Sequence, residues 1–197
     1  MSSRRGKLIL VVAPSGSGKN TLIHFAERVL PNLPRLVTCT TRAPRPGEVE
    51  GVDYHFLTPE AFDAAIERGE FLEWATYGAN RYGTLKATIE RYLATGALLL
   101  ATIDVQGVRE VLSLLPESEV ATIYIDAGNW ESLAARISAR APISDTELEH
   151  RRVRFEDEAT FKSEATYIIE NHDGQLEKAQ QAFVTLIKSL QEEVAAR

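Results

Sequence analysis

The chain has little sulfur chemistry to offer. Its one cysteine, Cys39, has no partner for an internal disulfide, and four histidines, His24, His55, His150 and His172, are scattered along 197 residues. None of these falls at metal-ligand spacing, so a disulfide-stapled scaffold and a zinc module are both excluded, and a reducing cytoplasm is the expected setting. Basic charge is also scarce: 22 Lys and Arg against 28 Asp and Glu leave a net charge of −6. That removes the broad basic face with which a protein grips nucleic acid, and any anion must be held by local clusters. No apolar run reaches the roughly 18 residues of a membrane span, and the first residues, Met-Ser-Ser-Arg-Arg-Gly-Lys, do not read as a signal peptide. What is present, 44% hydrophobic and 25% charged residues, suits a globular core of one-domain size.

Leu8-Ile9-Leu10-Val11-Val12 is apolar without alternation, the pattern of a parallel strand covered on both faces. After a turn of small residues, Leu22, Ala26, Val29 and Leu30 mark one helical face, which Pro31 and Pro34 end. Two further apolar runs, 97–103 and 120–125, read as strands flanking a helix over 105–115. Residues 167–169 read as a short last strand, and Leu176, Ala179, Phe183, Leu186, Ile187, Leu190 and Val194 predict a long closing helix. The alternation predicts an α/β fold with a mainly parallel sheet flanked by helices. Two stretches interrupt it. Residues 38–84 hold Pro, Gly, Arg and Tyr and a Thr58-Pro59-Glu60 helix start, and read as a small mixed α/β insertion. Residues 129–158 carry Arg136, Arg140, Arg151, Arg152 and Arg154 among acidic residues, and read as a charged helical arm. The core is then expected over 1–37, 85–128 and 159–197.

Ala13-Pro14-Ser15-Gly16-Ser17-Gly18-Lys19-Asn20-Thr21 joins the first strand to the first helix. Small residues there let successive N–H groups curl around a phosphate, the helix N-terminus adds partial positive charge, and Lys19 reaches the outer phosphates. Ser15, Gly16, Ser17, Gly18, Lys19, Asn20 and Thr21 are the candidate triphosphate cradle. The strict P-loop pattern fails at two positions, where Ala13 stands for Gly and Asn20 for Ser or Thr. The second matters more, because that hydroxyl ordinarily ligates Mg²⁺, and the longer Asn amide predicts weaker or rearranged metal binding.

Arg42 and Arg45 lie three residues apart in a Pro-stiffened segment and can fork onto one phosphate, with Tyr54 and Tyr82 adding hydroxyl donors. The run T-T-R-A-P-R-P-G-E-V-E-G-V-D-Y-H-F at 40–56, with G-E-F-L-E-W-A at 69–75, N-R-Y-G-T at 80–84, I-D-V-Q-G-V at 103–108 and R-I-S-A-R at 136–140, closely resembles guanylate kinase. With the loop at 13–21, the resemblance covers nearly the whole chain in order. It implies a P-loop core bearing a GMP-binding insertion and a lid, Mg²⁺ with ATP as cofactor, and transfer of the γ-phosphate of ATP to GMP or dGMP.

By position, the resemblance assigns the GMP phosphate to Arg42, Arg45, Tyr54 and Tyr82, and the guanine to Thr38, Glu73 and Thr84, with Gly83 between the last two groups. Guanine presents adjacent N1–H and N2–H₂ donors that one carboxylate accepts together, whereas adenine offers an acceptor at N1, so Glu73 selects guanine. The same resemblance makes Arg136, Arg140 and Arg151 the lid arginines, which with Lys19, Arg42 and Asp104 form the expected catalytic set, and puts Asn171 beside the donor adenine. Asp104 is expected to serve the metal directly or through water, with Asn20. An Asp there also suits a helix cap, and both roles stand open.

The chain departs from the family pattern elsewhere: Thr102 replaces a second acidic residue, Ala141-Pro142 the lid's usual Arg-Gly, and His172 a common Asp. These motivate two alternatives, a guanylate-kinase-like nucleotide-binding module with weakened catalysis and a kinase for another phosphorylated acceptor such as a ribose bisphosphate. The expected partners are the small substrates ATP and GMP, without nucleic acid or membrane, in a monomer or homodimer.

Overall fold

The computed structural model describes residues 5–140, without the Arg140 side chain, and 142–196. Four strands, β1 (Lys7–Val12), β6 (Leu98–Ala101), β7 (Val120–Asp126) and β8 (Tyr167–Glu170), form a wholly parallel sheet in the order β6-β1-β7-β8. Beside β6, Leu36 N donates to Leu100 O at 2.7 Å and Leu100 N to Pro34 O at 2.9 Å, adding one more short extended stretch to that edge.

The unbroken apolar run of β1 has its physical reason in this arrangement. Ile9 and Val11 face one core with Leu22 and Ile23 of α1 (Lys19–Val29) and Phe183 and Ile187 of α7 (Leu176–Ala196). Leu8, Leu10 and Val12 face another with Ile89 and Leu93 of α3 (Lys86–Ala94) and Val108 of α4 (Val105–Leu114). Period-2 side chains thus meet helices on both faces, as in other doubly covered sheets. Phe183 is fully buried, and burying such a side chain contributes about 1.5–3 kcal/mol.

The interrupting stretch after α1 builds a second sheet, order β3-β2-β5-β4, from β2 (Cys39–Thr40), β3 (His55–Phe56), β4 (Phe71–Tyr77) and β5 (Asn80–Leu85). The β2–β3 pair is parallel, and β2–β5 and β4–β5 are antiparallel. Helix α2 (Pro59–Glu67) starts as its sequence dictates: Thr58 accepts from Ala61 N at 3.1 Å and Pro59 occupies the first turn. Cys39, Phe62, Ala65 and Phe71 give this sheet its own core, with the Phe62 and Phe71 rings stacked at 4.4 Å.

The charged arm is two helices, α5 (Trp130–Arg140) and α6 (Asp145–Thr160), the latter capped by Ser144. Ala127, Leu133 and Ile137 make a fourth, small core with Trp130 and Phe155 against it. No residue of α6 is buried, so its exposed faces carry charge rather than an apolar stripe.

Candidate active site

At the end of β1 the chain turns back on itself: Ser17 N donates to Pro14 O at 3.1 Å, and Gly16 and Gly18 take φ of 88° and 87°. A side chain at Gly18 is doubly excluded, since a Cβ there would sit 2.4 Å from Asn171 Nδ2. Helix α1 then starts at Lys19 with no side-chain cap, which leaves its first N–H groups directed at the loop. Ser17 is fully buried and its Oγ has no hydrogen-bond partner, an orphan that a bound phosphate oxygen or its hydration would satisfy. Burial holds the Lys19 ammonium below the usual lysine range, while the carboxylates of Glu158 and Asp104 oppose that shift. A cation held in this way calls for an anion. Asn20 and Thr21, next along the helix, are exposed, as are Ser15 and Gly16.

Asn171, expected beside the donor adenine, is buried, and its Nδ2 donates to Ser17 O at 2.7 Å, so its amide group also fastens the phosphate loop to the end of β8. The neighbouring Arg136 pairs with Asp173 through Nε at 2.6 Å. Arg151 reaches the loop itself, donating from Nη1 to Ser15 Oγ at 3.3 Å and from Nε to Glu147 at 3.0 Å. Arg140 falls in α5, with its side chain outside the described part.

On and beside the second sheet lie the residues expected to hold the acceptor. Tyr82 lies opposite Thr40 in the β2–β5 pair, and its ring meets Tyr54 edge-on at 6.0 Å. The Arg42 guanidinium lies over the Tyr54 ring at 5.4 Å. Arg42 Nη2 donates to both oxygens of Glu48 at 2.8 and 2.9 Å, and Arg45 N donates to Glu48 at 2.7 Å. Glu48 thus holds Arg42 in place and draws both partners toward their charged forms: Arg42 is raised and Glu48 lowered. Arg45 is exposed and Thr38 half-buried, with Thr38 O accepting from His55 N at 2.8 Å.

Glu73 and Thr84 are buried cross-strand partners on β4 and β5. The pairing slips between Phe71 and Glu73, and this bulge turns Phe71 into the small core while Glu73 faces α4. There Glu73 Oε2 lies 3.0 Å from the position a Cβ on Gly107 would take, so only glycine lets the carboxyl pack so close. Burial pushes the Glu73 carboxyl up to about 7; the Thr84 hydroxyl pulls it down, and Asp104 and Glu110 push it further. Gly83 is needed for packing: a Cβ would meet the Phe71 ring at 2.8 Å.

Asp104 performs its capping role, Oδ1 accepting from Gly107 N at 3.0 Å, while its charge acts on Lys19, Glu73 and Glu158. Among the described residues no three His, Cys, Asp or Glu side chains form a metal cage. The donors fit a hard divalent ion that takes most of its oxygens from phosphates and water, with Asp104 beside them.

Sequence reasoning did not single out Glu158, whose charge acts on Lys19. It sits near the end of α6, and burial pushes its carboxyl up to about 7 while Lys19 and Arg154 pull it down. The only signal was a carboxylate three residues before the fully buried Phe161. Glu48 was visible inside its motif, but nothing in the sequence showed that it grips Arg42.

A family model for guanylate kinase matches residues 5–190. The chain is 38% identical over 187 residues to the guanylate kinase of Rubrobacter xylanophilus, covering 95% of this chain and 96% of that one. It is 43% identical over 140 residues to that of Nocardia farcinica, 70% of this chain and 72% of the relative. The crystal structure of guanylate kinase from Anaplasma phagocytophilum superposes with a TM-score of 0.70 at 26% identity, over 97% of this chain and 89% of that one. A gluconokinase from Sinorhizobium meliloti, at 16% identity and a TM-score of 0.53 over 98% and 97% of the two chains, shares the fold alone. A glycine loop holding a half-buried lysine, an arginine and tyrosine cluster, and a match along almost the full length agree: the chain belongs to the guanylate kinase family of ATP-dependent nucleoside monophosphate kinases.

Proposed function

We propose that this kinase moves the γ-phosphate of ATP to GMP with Mg²⁺ as the metal, and that the residues described above divide the work. The observation that carries the reading is Glu73, a buried carboxyl on β4 whose sheet also bears Tyr82, with Arg42 and Tyr54 beside it. An acceptor with two adjacent donors at one end and a phosphate at the other fits that surface.

Glu73 accepts N1–H and N2–H₂ of guanine in its ionised form, which a proton on the carboxyl would block. Arg42, oriented by Glu48 and stacked on Tyr54, places N–H groups on the acceptor phosphate, with Arg45 and Tyr82 completing the grip. The loop N–H groups and Lys19 hold the triphosphate, and Arg136, Arg140 and Arg151 bring further positive charge from the lid. No nucleophile and base pair is needed, because phosphoryl transfer depends on in-line positioning and on neutralising charge over the moving group. A bound Mg²⁺ would supply charge neutralisation between the outer phosphates, held by those phosphates and by Asp104 directly or through water. Asn171 acts behind this surface by keeping the Ser17 carbonyl turned out of the cradle. The second sheet and the lid move against the core to exclude water before transfer. The enzyme works in the cytoplasm, as a monomer or homodimer.

An acceptor-by-metal panel tests the reading: GMP, dGMP, AMP and a ribose phosphate, each with ATP and Mg²⁺ or Mn²⁺. GMP turnover of about 1–100 s⁻¹ is expected, the range ordinary for kinases. Preference for the sugar phosphate, or GMP binding without ADP formation, would overturn it.

A further inference from the structure

The arm formed by α5 and α6 joins the parallel sheet at two places, and one carboxylate holds both. β7 ends on Asp126, a buried residue. Its Oδ1 accepts from Gly128 N at 3.0 Å, where the chain leaves the sheet for α5 through a left-handed turn with φ of 87°. Its Oδ2 accepts from Lys162 Nζ at 2.7 Å, in the 3-10 turn Phe161–Ser163 by which α6 returns to the sheet. The Asp126 carbonyl accepts from Asn171 N at 2.7 Å, which fixes the residue to the end of β8 beside the side chain that ties down the phosphate loop. His172 Nε2 stands 3.6 Å from Oδ2, beyond hydrogen-bond reach. Burial pushes the Asp126 carboxyl up, but donation from Lys162 and Gly128 N outweighs it and holds the group below the usual carboxylate range.

Other contacts secure each root by itself. Phe161 is fully buried in the group under the sheet that contains Leu10 and Val108, whereas Ala127 belongs to the group between α5 and α6. Farther out, the Trp130 and Phe155 rings meet at 5.6 Å and join the two helices to each other. Each helix also carries one cation to the surroundings of the phosphate loop: Arg136 of α5 pairs with Asp173, and Arg151 of α6 reaches Ser15 Oγ. Among these contacts the Asp126 carboxylate is what links one root to the other, across 36 residues of sequence.

We propose that Asp126 is a positioning residue for phosphoryl transfer: by gripping both roots it makes α5 and α6 swing as one body, so that Arg136 and Arg151 arrive at the phosphates in a single register. This rests on the reading of those arginines given above. With one root released, the helices settle at several orientations, only the fraction in register supports transfer, and the rate falls by that fraction.

The test uses the full chain with Asp126→Asn, Lys162→Met, the two combined, and Lys162→Arg. Asn keeps an oxygen for Gly128 N but lacks the charge that holds Lys162, Met keeps the apolar stem, and Arg restores a donor. Lys162 is exposed, so its truncation carries the test even where Asp126→Asn folds poorly. The readouts are the single-turnover rate of GMP phosphorylation with enzyme in excess, KM for each substrate, and Tm. Each of the first two substitutions is expected to slow single turnover about five- to tenfold with KM for GMP within about twofold. The double variant should be no slower than the slower single, because both remove the same pair, and Lys162→Arg should return to within about twofold of wild type. A merely structural role would lower Tm and leave the rate, measured well below the melt, unchanged. That result, summed effects in the double variant, or a matching rise in KM for GMP would overturn the assignment. Arg136→Gln and Arg151→Gln report on the underlying reading: wild-type rates in both would overturn it, and the clamp with it, whatever Asp126→Asn shows.

Discussion

Replacing Glu73 by Gln probes the acceptor site with a change of one atom. The carboxylate accepts two donors from guanine; an amide accepts one and sets its own N–H₂ against the other. Losing a hydrogen bond to a charged acceptor and leaving a buried donor unmatched costs about 2–4 kcal/mol, or roughly 30- to 1000-fold in GMP affinity. The pH dependence gives a second handle. The free carboxyl titrates at about 7 because of its burial, and only its ionised form accepts both donors. The ionised fraction therefore rises from about one-tenth at pH 6 to about nine-tenths at pH 8, and wild-type affinity should strengthen close to tenfold over that interval. The phosphate of GMP ionises near pH 6 too, but it does so for both proteins, so the difference in slope between wild type and variant isolates Glu73. Stability moves the other way. A carboxyl raised from 4.5 to about 7 binds its proton more tightly in the fold than in the unfolded chain, so its ionisation destabilises the protein as pH climbs through that window. At pH 8 the Gln variant should be more stable by roughly 2–3 kcal/mol, with Tm up by several degrees, and the gain should vanish near pH 4. Calorimetric GMP titrations at pH 6, 7 and 8, paired with thermal melts, read both. A variant that binds GMP within threefold of wild type, with the same pH slope, refutes the assignment of guanine reading to this carboxyl.

Asn171→Ala removes the tie to Ser17 O. Stability should fall by about 1–3 kcal/mol and KM for ATP should rise about tenfold, whereas KM for GMP should stay near wild type in steady-state kinetics. Gly18→Ala forces a Cβ into the space of Asn171 Nδ2 at a φ that L residues rarely adopt; Tm should drop by several degrees and ATP-dependent turnover should be lost, as a melt and a coupled assay will show. Asn20→Ser combined with Thr102→Asp should lower the Mg²⁺ concentration for half-maximal rate several-fold, read from a metal titration at fixed nucleotide; an unchanged titration would mean that these positions do not govern the metal.

How much the sequence discloses depends on the range of the interaction. The strand at 8–12 and the helix over 176–196 were legible because continuous or 3.6-period burial is a property of neighbours along the chain. The phosphate loop was legible for the same reason. The tie from Asn171 to the phosphate loop was not legible because its partner, Ser17, is 154 residues away, and no spacing rule reports a contact at that separation. Glu73 was singled out as the candidate guanine reader, but the bulge after Phe71 that aims it and the Gly107 gap that admits it arise only when β4 meets α4. Glu158 stayed hidden because α6 carries many carboxylates, and nothing local marks the half-buried one whose charge acts on Lys19.

The apolar side chains gather into separate groups, two against the parallel sheet, one under the second sheet and one between α5 and α6. Such modularity bears on how the enzyme tolerates change. Substitutions in the Phe62 and Phe71 group and in the Leu133 and Ile137 group share no packing partners, so their stability effects should sum. The two groups can therefore drift along separate mutational routes, but the Leu133 and Ile137 group is tied to the lysine loop, because both side chains lie against Gly16.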